Sequence, residues 1–415
     1  MPGMTTSDLA QRSRAYAELL VRVGVNLQPG QKLLIRAGIE AAPLVRLVVD
    51  EAYRLGSPYV EVFWNDDAIM RSRFMHGPEG SFDLIAQYRA DGMNALAAEG
   101  AASLAILADD PDALAGTPPE RFAAFQRAWR PAVRPYSDLA MADRIAWCVA
   151  AAAAPAWARK VFPGRPDEEA MAALWDAIFA ATRVTEPDPV AAWRDHNAGL
   201  AERKARLNAR RYASLRFRGP GTDLRVGLAD DHLWDGGGST LPNGVGFVAN
   251  MPTEEVFTAP HRDRVDGVVR ASMPLAYNGI LIDDFSLEFE GGRVVRATAG
   301  KGQAALDDIL GTDDGARRLG EVALVPASSP IARTGLLFLE TLFDENAACH
   351  IALGRGYVNC VGGAQTMSAE ERLAKGLNDS LTHVDFMIGS DRVDVDGELP
   401  DGTTEPVMRE GEWVG

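Results

Sequence analysis

The fold of the first half of the chain is decided by residues 32–64, which read KLLIRAGIEAAPLVRLVVDEAYRLGSPYVEVFW. Short apolar runs at 32–37 and 59–64 flank an amphipathic segment at 43–55, which Gly56 ends. Apolar runs of this length predict buried strands, and the longer periodic segment between them predicts a helix. A strand, a helix and a strand joined by short turns predict parallel pairing, with the helix packed on the sheet.

The same alternation continues on both sides of this stretch. Further strands are predicted at 102–108 and 145–149, and helices at 7–23, 82–98, 119–128, 167–182 and 189–211. We expect residues 1–208 to form an α/β layer domain with an open, mostly parallel sheet, serving as a lid, a dimer contact or a support. The first strand leads into Ala37-Gly38-Ile39-Glu40 instead of the G-x-G-x-x-G of a dinucleotide site, so no nucleotide is expected there.

From Tyr212 onward the pattern changes to short alternating segments, with glycine-containing turns at 219–221, 235–238 and 290–292. This pattern predicts antiparallel strands. Helices are predicted at 302–310 and 312–319, and mixed elements follow. We therefore expect residues 209–415 to form an α+β domain with a mixed or antiparallel sheet.

The charge of the chain limits its partners. Its 415 residues include 42 basic and 58 acidic side chains, which gives a net charge of −16. Such an acidic chain is poorly suited to bind the phosphate backbone of a nucleic acid or an anionic membrane surface. Its apolar runs also fall well short of the roughly 20 residues that a membrane helix needs. We expect neither a nucleic-acid partner nor a membrane.

Cysteine usage and the N-terminal sequence indicate the compartment. The three cysteines, Cys148, Cys349 and Cys360, stand at irregular spacing without a CxxC pair, which is not a disulfide framework. Residues 1–8 are polar and contain no apolar signal core. Both observations predict a reducing compartment, and we expect the protein in the cytoplasm.

Residues 321–385 contain two of the six histidines, each close in sequence to carboxylates. Carboxylate and imidazole are ligand types that divalent metals use in hydrolases. In His383-x-Asp385, a strand would place both side chains on one face. For a single pair of this kind, however, a structural hydrogen bond is the simpler interpretation.

The other acidic candidates are equally open when each is taken alone. Glu345 and His350 are five residues apart, so they meet one metal only if the chain turns between them. Glu321 begins an apolar run and could be a ligand or a salt-bridge partner. Glu254 and Glu255 are adjacent, so a strand would send them to opposite faces and at most one is expected to be a ligand.

The remaining histidines show no metal-type spacing. They are His76, His196, His232 and His261, of which only His261 lies close in sequence to Glu255. A Ser-His-Asp hydrolase is disfavoured because no G-x-S-x-G elbow occurs, and Cys349 beside His350 is interpreted as a small buried residue.

Five segments in order resemble the M29 family of metalloaminopeptidases, of the thermophilic aminopeptidase T type. The resemblance extends over roughly the C-terminal half, and the α/β first half is compatible with it. The segments are PTEEVFTAP at 252–260, GEVAL at 320–324, DENAACHIA at 344–352, Gly354-x-Gly356-Tyr357 and His383-x-Asp385.

The resemblance implies a cytosolic, homodimeric, metal-dependent aminopeptidase that releases N-terminal amino acids from peptides with a free N-terminus. Two divalent ions (Zn, Co, Mn or Mg) would activate a water molecule in the C-terminal domain. The implied ligands are Glu255, Glu321, Glu345, His350, His383 and Asp385. Glu321 would bridge the metals, Glu255 would join His383 and Asp385 at one of them, and Glu345 would join His350 at the other.

Two further residues receive catalytic roles. Tyr357 would lie beside the metals and hydrogen-bond the substrate or the transition state. Glu254 is the candidate for carrying a proton to the leaving amine.

Two alternatives remain at this point. Ring-opening dioxygenases acting on dihydroxypyridines resemble this family but use one Fe(II), which needs only two histidines and one carboxylate. The three glutamates Glu255, Glu321 and Glu345 favour the dinuclear hydrolase. The second alternative, a non-enzymatic metal-binding or assembly protein, is disfavoured by six ligands with a neighbouring tyrosine.

Overall fold

The computed structural model describes residues 5–277 and 280–414. The helices of these residues are α1 Thr6–Leu19, α2 Ala42–Arg54, α3 Asp67–His76, α4 Gln87–Ala98, α5 Pro119–Ala132, α6 Arg134–Met141, α7 Pro155–Val161, α8 Asp167–Ala181, α9 Pro189–Arg210, α10 Gln303–Leu310, α11 Pro330–Thr334, α12 Thr341–Asp344 and α13 Ala369–Ala374. Among them, none is both long enough and apolar enough to cross a membrane.

The strands number from β1 to β19 over the same residues. They are β1 Leu33–Gly38, β2 Val60–Asn65, β3 Ala102–Leu107, β4 Trp147–Ala151, β5 Ser214–Gly219, β6 Thr222–Leu228, β7 Ser239–Thr240, β8 Gly246–Phe247, β9 Val256–Thr258, β10 Pro260–Arg270, β11 Leu275–Tyr277, β12 Ile280–Glu290, β13 Arg293–Lys301, β14 Leu319–Leu324, β15 His350–Gly354, β16 His383–Met387, β17 Asp394–Glu398, β18 Thr404–Arg409 and β19 Glu412–Trp413.

The chain divides into two compact units. The first comprises Met1–Asp195 and Gly238–Pro252, and the second His196–Gly237 and Thr253–Gly415. The division therefore falls within α9 and assigns one later segment to the first unit, whereas the sequence suggested a single boundary after residue 208.

The first unit contains the parallel sheet that residues 32–64 predicted. Its strand order is β2-β1-β3-β4, and every neighbouring pair is parallel. Leu33 and Ile35 are fully buried on β1, as expected for a strand between two others. The α/β class is confirmed for this half of the chain.

The helix predicted at 82–98 is shorter than expected. It begins only at Gln87, because the Arg73 guanidinium donates to the carbonyls of Ser81, Phe82 and Leu84 and holds that segment in turns. Helix α3 was not predicted from the sequence. It is capped by Asp66, whose carboxylate accepts from the backbone N–H of Ile69.

The second unit contains an antiparallel nine-stranded sheet. Its order is β11-β12-β10-β6-β5-β17-β18-β19, with β13 paired to β12. Alternate residues of these strands, such as Leu224, Val265 and Phe285, are buried in the core of this unit. The predicted antiparallel block is confirmed.

A smaller antiparallel sheet of the second unit has the order β16-β15-β14-β9. Three of its strands carry the predicted ligands Glu321, His350, His383 and Asp385. Ile351 and Phe386 on its other face belong to the same apolar core as the nine-stranded sheet. One face of the sheet is therefore anchored in the core and the other is left for polar side chains.

The second predicted helix of this half, at 312–319, is wrong. Only Gly315–Arg317 forms a 3₁₀ turn, and Leu319 already begins β14. The segment is held as a turn because the carboxylate of Asp313 accepts from the backbone of Ala316 and Leu381. A Cβ at Gly315 would lie 1.9 Å from the carbonyl oxygen of Asp379, so only glycine permits this approach.

Two neighbouring valines of β10 test the assignment of the sheet faces. Val269 is fully buried, whereas Val268 is 40% exposed. We expect Val269→Ala to lower the free energy of unfolding by about 2 kcal/mol, because two buried methyl groups leave a cavity. Val268→Ala, the matched control, should change it by less than about 0.5 kcal/mol. Urea denaturation measures both, and equal losses would contradict the assignment.

Candidate metal centre

The register of the small sheet aligns the predicted ligands on one face. Glu321 on β14 is opposite Ala352 on β15, which is opposite Asp385 on β16. His350 precedes Ala352 by two residues and His383 precedes Asp385 by two, so these side chains project from the same face. Strand pairing thus brings together residues that are distant in sequence.

Small residues separate the ligands on this face. Ala352 lies between the two carboxylates, and Ala323 is opposite His350. Gly354 is opposite His383, and a Cβ there would lie 2.1 Å from the carbonyl oxygen of Thr382. With no bulk between them, the polar side chains can converge above the sheet.

The side chains form two overlapping groups that share Glu321. Within each group, one ligand atom from each residue lies within 4.8 Å of the others: Glu255, Glu321 and His350 in one, and Glu321, His383 and Asp385 in the other. The two oxygens of Glu321 face different imidazoles, Oε1 at 3.9 Å from His350 Nε2 and Oε2 at 3.2 Å from His383 Nε2.

Backbone carbonyls orient both imidazoles. His350 Nδ1 lies 3.2 Å from the carbonyl oxygen of Ala348, and His383 Nδ1 lies 2.7 Å from that of Arg355. Because a carbonyl oxygen only accepts, each Nδ1 carries a proton, which leaves Nε2 to face the carboxylates. A carbonyl that receives Nδ1–H is a common partner of a histidine whose Nε2 binds metal.

Imidazole nitrogens and carboxylate oxygens, which are both atoms with lone pairs that can bind a metal, face one another across this cluster. His350 Nε2 is 3.1 Å from Glu255 Oε2, and His383 Nε2 is 3.3 Å from Asp385 Oδ1. With Nδ1 protonated, the neutral form of each histidine presents a lone pair to a carboxylate that also has only lone pairs. A cation between them, either a proton or a metal ion, turns both contacts from repulsive to attractive.

Burial and mutual repulsion perturb the carboxyl groups. Burial, followed by the charges of Asp385 and Glu255, raises the pKa of Glu321 to about 7 against the opposing effect of His383. Burial would lower the pKa of His350, but its bond to Glu255 and the surrounding carboxylates raise it to about 10. The cluster therefore attracts positive charge strongly.

Glu345 joins this electrostatic cluster from the turn before β15. It opens the 3₁₀ segment Glu345–Ala347, so the chain does turn between Glu345 and His350. Burial raises the pKa of Glu345 well above its usual range, and the charges of Glu255 and Asp385 add to the shift.

The donor set fits a divalent metal. Asp385 Oδ1 is a buried oxygen without a hydrogen-bond partner among the described residues. Buried carboxylate oxygens without hydrogen bonds are uncommon unless an ion satisfies them. Carboxylates and imidazoles together suit zinc, cobalt or manganese.

Tyr357 lies at the edge of the cluster. Its hydroxyl is 3.4 Å from His383 Nε2, and its ring contacts those of His383 and Phe257, with centroids 4.9 and 5.6 Å apart. Burial and the nearby carboxylates raise the pKa of its hydroxyl, so the phenol stays protonated and can donate a hydrogen bond.

Glu254 has a different partner from Glu255. Its carboxylate is 3% exposed and its Oε2 lies 3.7 Å from His196 Nε2. Its backbone N–H donates to Asn346 Oδ1 at 2.7 Å. Neither partner was predicted from the sequence, because no local spacing connects them with Glu254.

Two other residues that the sequence placed near the candidate ligands have different contacts. His261 Nδ1 accepts from the backbone N–H of Asp263, and Cys349 Sγ contacts the backbone of Val325. The ligand grouping also differs from the expected division. Glu255 lies against His350, whereas the resemblance assigned it to the metal of His383 and Asp385.

Comparison with known proteins agrees with this geometry. The family model described as thermophilic metalloprotease (M29) matches residues 9–413. Aminopeptidase T of Thermus aquaticus is 51% identical over 398 residues, covering 96% of this chain and 97% of the relative. Aminopeptidase 2 of Geobacillus stearothermophilus is 49% identical over 399 residues, with the same coverage of 96% and 97%.

A solved structure extends the comparison to the fold. Wild-type AmpT from Thermus thermophilus superposes with a TM-score of 0.93 at 48% identity, covering 98% of this chain and 100% of that one. The fold and the cluster of carboxylates and imidazoles define a metal-dependent peptidase. The chain belongs to the M29 family, and it is a metalloaminopeptidase that releases N-terminal amino acids from peptides.

Proposed function

We propose that the aminopeptidase works with two divalent ions that share the Glu321 carboxylate. The observation that best supports this proposal is the position of Glu321, whose two oxygens face two different imidazoles. Glu255 and His350 would complete one metal position, and His383 and Asp385 the other. Glu345 would bind at the position of His350, since the 3₁₀ segment that it opens ends at Ala347, three residues before His350.

The charge of the cluster supports two ions and not one. Four carboxylates converge here: Glu255, Glu321, Glu345 and Asp385. The two histidines contribute no charge when Nε2 acts as a ligand. Two divalent cations would balance the four negative charges, whereas one would leave a net charge of about −2 in a largely buried site.

The ions and the chain have separate tasks in catalysis. Bound at this cluster, divalent ions such as Zn²⁺, Co²⁺, Mn²⁺ or Mg²⁺ would polarise the scissile carbonyl and lower the pKa of an attacking water molecule. A free peptide amino group could bind one of these ions through its nitrogen lone pair. A peptide with a free amino group is accordingly the proposed substrate.

Tyr357 is the proposed hydrogen-bond donor to the transition state. Its protonated hydroxyl lies beside His383, at the side of the cluster where an oxyanion could form. A donor held in place before the reaction stabilises developing negative charge without reorganisation.

Glu254 is the proposed carrier of the proton from water to the leaving amine. It is buried, it follows Thr253 and precedes Glu255, and its Oε2 lies 3.7 Å from Nε2 of His196, which is not a candidate ligand. A positioned carboxylate of this kind contributes about 10²–10⁴-fold to a proton transfer.

The remaining expectations from the sequence belong to the same proposal. They are a homodimer, a cytoplasmic location, and a role of the first domain as a lid, a dimer contact or a support, with the boundary near residue 208. All three cysteines are buried and free, which is compatible with a reducing compartment. The dioxygenase alternative gains no support, because the relatives described above are named as aminopeptidases.

Metal removal tests the proposed function. Protein stripped with a chelator should release no nitroaniline from an unblocked aminoacyl p-nitroanilide, and activity should return as Zn²⁺, Co²⁺ or Mn²⁺ is titrated to two equivalents per chain. The N-acetylated anilide is the matched control and should remain intact with the reloaded enzyme. Full activity of the stripped protein, or recovery complete at one equivalent, would contradict the proposal.

The role of Tyr357 predicts a selective loss. We expect Tyr357→Phe to lower kcat by about 10²–10³-fold, because a transition-state donor is removed while the ring remains. The metal content, measured by atomic absorption, should equal that of the wild type. An unchanged kcat, or a lower metal content that accounts for the loss, would show that the hydroxyl does not act on the transition state.

A further inference from the structure

His196 on α9 lies next to the proposed proton carrier. Its Nε2 is 2.7 Å from the carbonyl oxygen of Thr253 and 3.7 Å from Oε2 of Glu254. The side chains of His196 and Glu254 are only 10% and 3% exposed. The imidazole therefore meets the carboxylate where water competes weakly for the contact.

The contact with Thr253 determines the tautomer of His196. A carbonyl oxygen accepts but cannot donate, so Nε2 must carry the proton in the 2.7 Å bond. That N–H is donated to the Thr253 carbonyl, and its nitrogen lies 3.7 Å from Oε2 of Glu254, so the attraction to the carboxylate is electrostatic. The imidazole can act in this way while neutral, so the interaction does not depend on its titration.

One face of α9 holds the imidazole in place. Residues four positions apart share this face: His196, Leu200, Lys204 and Asn208. Lys204 pairs with Asp235 at 3.3 Å, and Asn208 exchanges two hydrogen bonds with the backbone of Trp234, of 2.9 and 3.0 Å. A Cβ at Gly237 would lie 3.1 Å from Leu200 Cβ, so the helix packs closely on this segment.

The same segment is tied to the strand that follows Glu254 and Glu255. The backbone of Asp235 exchanges hydrogen bonds with that of Phe257 on β9, at 2.8 and 2.9 Å. On the ligand side, Asn346 is fully buried and accepts the N–H of Glu254, while its amide donates to the carbonyl of Leu342 at 3.0 Å. Glu254 is therefore held through its backbone by Asn346 and approached at its carboxylate by His196.

We propose that His196 is a positioning residue of the aminopeptidase: its Nε2–H, held by α9 and by the Thr253 carbonyl, sets the direction of the Glu254 carboxylate. The proposal rests on the proposed role of Glu254 as proton carrier. A carboxylate that rotates freely transfers protons less efficiently, because its oxygen spends less time within hydrogen-bond reach of the reacting groups. His196 itself needs to contact neither substrate nor metal.

Paired substitutions test this role. His196→Phe keeps a ring but removes the N–H, and we expect it to lower kcat by about 10–100-fold with KM changed less than about threefold. His196→Gln places an amide N–H near the position of Nε2 and should recover most of the loss. Glu202→Gln, at an exposed position of α9 outside this face, is the matched control and should keep kcat. Metal content should be unchanged in all three.

Combination with Glu254→Gln separates this role from a general structural one. In the Glu254→Gln background, His196→Phe should cause no further loss of kcat, because the group that it positions is already disabled. If the His196→Phe variant does not fold, His196→Asn replaces it. The side chain of Asn is one methylene shorter than that of Gln, so its amide falls short of the position of Nε2, and we expect the same loss of kcat as for His196→Phe.

The results separate the positioning role of His196 from the proton-carrier role of Glu254. An unchanged kcat of His196→Phe, an equal loss in the Glu254→Gln background, or equal impairment of His196→Gln with a loss of metal would overturn the role of His196 alone. A wild-type kcat of Glu254→Gln would overturn the proton-carrier role of Glu254, and the positioning role with it.

Discussion

The site depends on the Glu321 carboxylate, which lies between two imidazoles. Its oxygens face His350 and His383 at 3.9 and 3.2 Å, from a strand whose other face is part of the apolar core. Glu321 is 4% exposed and near other carboxylates, so burial and repulsion both oppose its charge. Shared cations would convert this unfavourable arrangement into a stable one.

The small sheet positions the side chains around Glu321 so that two ions could share its carboxylate. Hydrogen-bonded pairing of β14, β15 and β16 sets the spacing of the ligands, and Ala323, Ala352 and Gly354 leave room between them. The apolar side chains on its other face, including Ile351 and Phe386, hold the sheet in the core of the second unit. The ligands therefore stand on strands, and the carbonyls that orient the histidines come from the segments joining them.

Local pattern predicted the fold class better than it predicted the site. Alternating apolar runs located the parallel strands and the antiparallel block, because side-chain periodicity follows directly from strand and helix geometry. The pattern failed at 312–319, where a contact with Asp379 excludes any side chain at Gly315.

Within the site, the ligand set came from resemblance. The pairing of Glu255 with His350, across 95 residues (350 − 255), and that of His196 with Glu254 depend on tertiary contacts that no local spacing encodes.

Anomalous X-ray diffraction from crystals loaded with Zn²⁺ tests the central claim most directly. Data collected on both sides of the zinc absorption edge should show two separate peaks in each chain, both in contact with the Glu321 carboxylate, one beside His350 and one beside His383. A single peak at full loading, or two peaks of which one does not touch Glu321, would contradict a shared carboxylate as the basis of this site.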